Sequence, residues 1–268
     1  MKENYLLFLL GSIIIIFSSN LFIAQDTPKD DRVVKKDEAA TSEFQVSDNP
    51  VIVSDDISDE NTAFQTQSIS FSTPMFDGKI SKIGGYIFDV RLKKYFETPK
   101  NNEFIKIMNP GEFLSNTIIK VKDKNIPKDI SFNYKNENIN LSSGSRRFDL
   151  SSNFTNVTIQ KSFMFNSDSY AINQEITVIN KSSKNLVFRV FEESIGEIDA
   201  AEHNVLGYFL DEMEVVDSIP SETEKIVGDF DWYGFSKKYF LISNILDDAG
   251  SKTLKYNKFS KKSLRTVL

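Results

Sequence analysis

The 268-residue chain has no cysteine. That absence excludes a disulfide framework, a thiolate nucleophile, Cys-ligated zinc or iron–sulfur clusters and a lipid-modified cysteine. Histidine occurs once, at His203, so a metal site or catalytic pair built from imidazoles lacks its ligands. Any catalysis would have to run on carboxylates, hydroxyls or lysines. A concentrated basic footprint is also missing. The net charge is −6, but Gln25 to Gln67 holds eleven acids against four bases, Met1 to Ala24 cancels, and the remainder is close to +1. A nearly neutral body gives nucleic acid nothing to bind, and none is expected as a partner.

Three segments follow from composition. Tyr5 to Ala24 (YLLFLLGSIIIIFSSNLFIA) carries no charge for 20 residues, enough for a helix of roughly 30 Å to cross a bilayer. A cleaved signal peptide is the competing reading, but cutting after Ala24 would put the bulky Phe22 where a small residue is wanted. Residues 1–24 are therefore expected to form an uncleaved anchor. Lys29, Arg32, Lys35 and Lys36 follow the segment while Lys2 precedes it. A plain charge count would keep the body cytoplasmic, although long domains translocate largely regardless of such charges. Residues 25–67, rich in Asp, Glu, Ser, Thr and Lys without sustained period, read as an acidic flexible linker. Its acids at Asp55 and Asp56 do not fit a calcium loop, since Ile57 and Glu60 occupy ligand and glycine positions.

From Ser68 onward the hydrophobic period is two. Ser68 to Ser72 alternates up to Pro74, and Lys79 to Ile83 and Tyr86 to Leu92 flank Gly84-Gly85, a pair suited to a tight turn or bulge. Val157, Ile159, Phe163 and Phe165 mark one face of a hairpin that turns at Asn166 to Ser169 and returns through Tyr170, Ile172, Ile176 and Val178. Leu186 to Phe191 continues the pattern. With 23 phenylalanines to fill a thick core, the expected fold is mainly β, two antiparallel sheets packed as a sandwich. Short helices are expected near Asp199 to Asn204 and Gly234 to Ile242.

Three stretches in order carry a family resemblance: Ile69 to Tyr95 (ISFSTPMFDGKISKIGGYIFDVRLKKY), Thr158 to Asn180 (TIQKSFMFNSDSYAINQEITVIN) and Trp232 to Phe240 (WYGFSKKYF). Behind an anchor and a polar linker, they resemble the N-terminal part of the bacterial YidC membrane protein insertases. The resemblance implies a periplasmic antiparallel β-supersandwich, galactose mutarotase-like, over residues 68–268. It also implies a cytoplasmic N-terminus, a single pass through the inner membrane at Tyr5 to Ala24, and a periplasmic body. The implied partners are the inner membrane, Sec translocon components and nascent membrane proteins; the implied role is to assist insertion and folding, without enzymatic activity or a cofactor. Family members continue with five transmembrane helices, one bearing the Arg of the client groove. No second hydrophobic span precedes Leu268, so no insertase residue is carried over and the domain is expected to be incomplete at its C-terminal end.

Candidate sites are few. Trp232, Tyr233, Phe235 and Tyr239 form, with Phe240, the densest aromatic cluster and the candidate partner or ligand surface, with core packing as the alternative. A membrane-anchored carbohydrate-binding or carbohydrate-processing sandwich is the second functional reading, resting on the fold analogy and this cluster; a secreted structural protein is the third. Glu192 and Glu193 should point to opposite faces of a strand and make a poor glycosidase pair. Asp211, Glu212 and Glu214 read as solvated charge, and His203 as a loop residue. Lys252, Lys255, Lys258, Lys261, Lys262 and Arg265 could touch anionic lipid, but with Leu254, Tyr256 and Phe259 they read equally as an exposed strand. In a fragment that strand would be an unpaired edge.

Overall fold

A computed structural model describes residues 67–98, 102–122, 126–134, 138–197, 206–210, 212–216, 218–237, 240–247, 251–260 and 263–268. The anchor, the linker except Gln67, the helix expected near Asp199 to Asn204, His203 and Tyr239 lie outside them. No helix among the described residues is long and apolar enough to cross a membrane.

Every regular element described is a strand. In chain order these are β1 (Ser68–Ser72), β2 (Phe76–Ser81), β3 (Ile87–Phe96), β4 (Phe104–Lys106), β5 (Phe113–Val121), β6 (Ile139–Asn140), β7 (Ser145–Phe154), β8 (Val157–Asn166) and β9 (Ile172–Asn180). They continue as β10 (Phe188–Glu197), β11 (Leu206–Phe209), β12 (Met213–Val216), β13 (Glu224–Gly228), β14 (Trp232–Lys237), β15 (Phe240–Ile245), β16 (Lys252–Ser260) and β17 (Ser263–Val267). One large sheet runs β13-β16-β17-β10-β5-β3-β2-β1-β6, with β4 paired to β3; a second runs β12-β11-β14-β15 and a third β7-β8-β9. All pairings are antiparallel except β1 with β6.

Strand alternation explains how the layers meet. Glu192, Ser194 and Gly196 fall on one face of β10. Lys161 and Gln174 of the three-stranded sheet reach Glu192, and Phe235 of the four-stranded sheet sits against Gly196. The two smaller sheets therefore lie on the same face of the large one, and the architecture is a β-sandwich, as the period-two pattern predicts.

Two apolar cores fill the layers. One joins Phe71, Ile80, Ile119, Phe132, Ile159, Phe163 and Phe165; the other joins Leu206, Phe230, Tyr233, Phe235, Leu254, Tyr256 and Leu264. Each fully buried Phe or Ile contributes about 1.5–3 kcal/mol. Two expectations fail here. Gly234 to Ile242 is not helical but belongs to the β14–β15 hairpin, paired Gly234↔Ser243 through Lys237↔Phe240; burying both Tyr233 and Phe235 needs period two. Of the basic C-terminal run, Lys252, Lys255 and Lys258 lie on β16 and Arg265 on β17, while Lys261 and Lys262 are outside the described residues. β16 is not an edge, being paired to both β13 and β17, and its Leu254 and Tyr256 lie in the core.

A side chain on Gly196 would place its Cβ 2.4 Å from the Phe235 ring, and that ring is fully buried. Gly196→Ala should cost about 1–3 kcal/mol by overpacking, read as a lower urea midpoint with an unchanged m-value. A midpoint equal to wild type would mean that the two sheets do not meet there.

Candidate functional site

A dense polar cluster in the described interior is built on the β5–β10 pair. Thr117 opposes Glu192 and Asn116 opposes Glu193, and the register slips between Glu193 and Ile195. At that bulge Ser115 has φ +65°, a conformation that costs about 1–3 kcal/mol and persists only where its surroundings enforce it. Each polar atom of Ser115 is held. Its N–H donates to Ser194 Oγ at 3.0 Å, its hydroxyl donates to Glu192, and its carbonyl accepts from the Lys161 ammonium.

Lys161 rises from the centre of β8 with no solvent exposure. Besides the Ser115 carbonyl it donates to Thr117 Oγ1 at 2.8 Å and stands 3.9 Å from Glu192 Oε2. Thr117 in turn donates to Glu192 Oε1 at 2.6 Å, and Gln174 Nε2 donates to Oε2 at 3.2 Å. Tyr233, from β14, is fully buried beside the cluster, with Ser194 and Asn244 close to its hydroxyl. The turn predicted at Gly84-Gly85 serves this site: both residues have positive φ, a Cβ on Gly84 would strike Asn116, and one on Gly85 would crowd the Lys161 stem at 2.9 Å.

Glu193, on the other face of β10, takes a hydrogen bond from Asn116 Nδ2 at 2.8 Å and pairs with Arg265. The two neighbouring glutamates therefore point to opposite faces, as alternation predicts. A second lysine connects the four-stranded sheet to the same strands: Lys237 Nζ donates to Glu112 and, at 2.9 Å, to the carbonyl of Glu197. With its lysine sealed from solvent, the Lys161 cluster can hold layers together but offers no open surface for a substrate.

Of the residues singled out in the sequence, Tyr233 and Phe235 are about 1% exposed and belong to the core, whereas Trp232 is half-buried on the opposite face of β14. Phe240 packs edge-on against Tyr95. The four candidate aromatics thus do not share one face, and Tyr239 is outside the described residues. Glu212 and Glu214 are exposed; Asp211 is outside the described residues. Lys161 is the residue the sequence reading missed. Its signal was present: it occupies the middle of the otherwise apolar face Val157, Ile159, Phe163 and Phe165. No group of three or more His, Asp or Glu placed to hold a metal occurs among the described residues.

Burial lowers the Lys161 ammonium from 10.5 to about 8, with the Glu192 charge acting in the opposite sense. The unfolded chain then binds this proton more tightly than the folded one. The folded state bears the full penalty below about pH 8, and the penalty is relieved as pH climbs toward 10.5. Burial also raises the Tyr233 hydroxyl, so above about pH 10 the unfolded chain loses that proton first and stability falls. Lys161→Met should remove the alkaline gain. Urea unfolding of both proteins should show the wild-type minus variant stability growing by roughly 2 kcal/mol between about pH 7.5 and 9.5. A difference that stays flat would contradict the buried charge.

No curated protein matches the chain. The family model of the YidC periplasmic domain matches residues 68–267, running from the first residue of β1 to the last of β17. That match covers most of the chain and agrees with its β-sandwich, and the chain therefore belongs to the YidC periplasmic domain family.

Proposed function

We propose that this chain acts at the inner membrane as the periplasmic, non-catalytic part of a YidC-like system that assists the insertion and folding of inner-membrane proteins. Tyr5 to Ala24 would anchor it in one pass, with the N-terminus in the cytoplasm and the body in the periplasm. Sec translocon components and nascent membrane proteins are the partners this role calls for. The observation that carries the proposal is the family match across residues 68–267. Two features of the molecule support it. The polar interior is spent on joining layers, as in the Lys161–Glu192 cluster, and exposed apolar residues such as Met213 and Ile245 are suited to contact with another macromolecule.

Two measurements in the source cells test placement and role. Protease added to intact spheroplasts should cleave the body, and deleting the gene should slow the insertion of newly made multi-spanning inner-membrane proteins at least threefold in pulse–chase experiments. A body protected until lysis would overturn the placement; unchanged insertion kinetics would overturn the role.

A further inference from the structure

The two small sheets share one layer but turn very different outer faces to solvent. On the three-stranded sheet the outer row is polar: Arg147 bonds Asp149 at 2.9 Å and Glu175 at 3.0 Å, with Ser162 between them. This is an ordinary solvated sheet face.

The outer face of the four-stranded sheet has no such row. The pairings Phe209↔Met213, Phe209↔Trp232 and Trp232↔Ile245 align four apolar residues across all four strands. The next row is Val215, Gly207, Gly234 and Ser243, and Leu241 extends the face along β15. Met213 is 61% exposed, Leu241 51% and Ile245 74%. Trp232 lies over Gly207, where a Cβ would meet the indole at 3.2 Å; the glycine leaves room for the ring. Within these rows no residue carries a charge.

Beyond the Met213 end of these rows the described charges are acidic, while at the other end Lys237 is turned to Glu112 and the Glu197 carbonyl. The row Met213, Phe209, Trp232, Ile245 is the last of its ladders. Just beyond it the chain places Glu212 before Met213, Asp231 before Trp232 and Asp247 two residues after Ile245, all exposed. The backbone bonds Asp231 N–H to Phe209 carbonyl and Leu246 N–H to Asp231 carbonyl bring these segments together. An apolar platform with an acidic end is complementary to a segment that is apolar along its length and basic at its terminus.

We infer that the outer face of the β12-β11-β14-β15 sheet is a docking surface for an extended polypeptide segment that presents alternate apolar side chains to Trp232, Leu241 and Ile245 and ends in lysine or arginine near Glu212, Asp231 and Asp247. The inference deepens the docking role by naming the partner's chemistry, and its test uses synthetic peptides, so either reading can fail alone.

Trp232 is the only tryptophan in the chain, so its emission reports on this face directly. The full chain, purified in dodecyl maltoside at low salt, is titrated with a peptide of alternating Val and Thr bearing two lysines at each end, and with the same peptide bearing glutamates instead. The lysine peptide should shift Trp232 emission to shorter wavelength. Ile245→Ser and Leu241→Ser, both at exposed positions and checked for wild-type near-ultraviolet circular dichroism, should each weaken binding at least fivefold, and the glutamate ends at least tenfold. Equal response to both peptides, wild-type affinity in both variants, or no shift would overturn the inference. So would a self-association, seen by sedimentation equilibrium, that Ile245→Ser abolishes while the peptide gives no response, since the face would then belong to a second copy.

Discussion

Burying a lysine ammonium is the constraint on which the arrangement of layers depends. A charge removed from water is tolerated only when its donors find acceptors and an opposite charge stands near. Lys161 meets this through the Ser115 carbonyl, Thr117 and Glu192, all on the β5–β10 pair. Those bonds fix the height of the three-stranded sheet above the large one and hold the bulge that Ser115 needs. At the far end of the same pair, Lys237 bonds Glu112 and the Glu197 carbonyl, so each small sheet sends one lysine to the same two strands. Apolar contacts supply most of the cohesion; the lysines specify where the sheets sit.

Much of the fold was legible in the sequence because alternation, turn residues and β-branched composition agree there. The strand at Ser68 to Ser72, the turn at Gly84-Gly85 and the hairpin around Asn166 to Ser169 are local events with local causes. Gly234 to Ile242 was not legible as a hairpin, because Phe235, Tyr239 and Ile242 also fall at helical spacing. What decides is tertiary: Gly234 is matched to Gly207 on one side and Ser243 on the other, and Tyr233 and Phe235 must both enter one core. The C-terminal strand misled for the opposite reason. Its lysines suggested exposure, yet they alternate with Leu254 and Tyr256, which the second core requires.

The site was less legible than the fold. Grouping aromatics by proximity along the chain joined Trp232 to Tyr233 and Phe235, although a strand sends neighbours to opposite faces, one pair to the core and one residue to the surface. Lys161 and Glu192 lie 31 positions apart, and no local pattern links them. Lys161 in an apolar register and Ser115 with positive φ each mark a departure from local preference, and the two departures meet in one place. That arrangement keeps the polar cluster inside the sandwich and leaves an apolar face on the outside of the four-stranded sheet.

A double-mutant cycle between Lys161→Met and Glu192→Gln, measured by urea unfolding at neutral pH, tests this account most directly. If the buried charge joins the three-stranded sheet to β5 and β10, the two substitutions should be coupled by about 1–3 kcal/mol. Additive effects, with coupling near zero, would mean that the layers are positioned by apolar packing alone and would contradict the account.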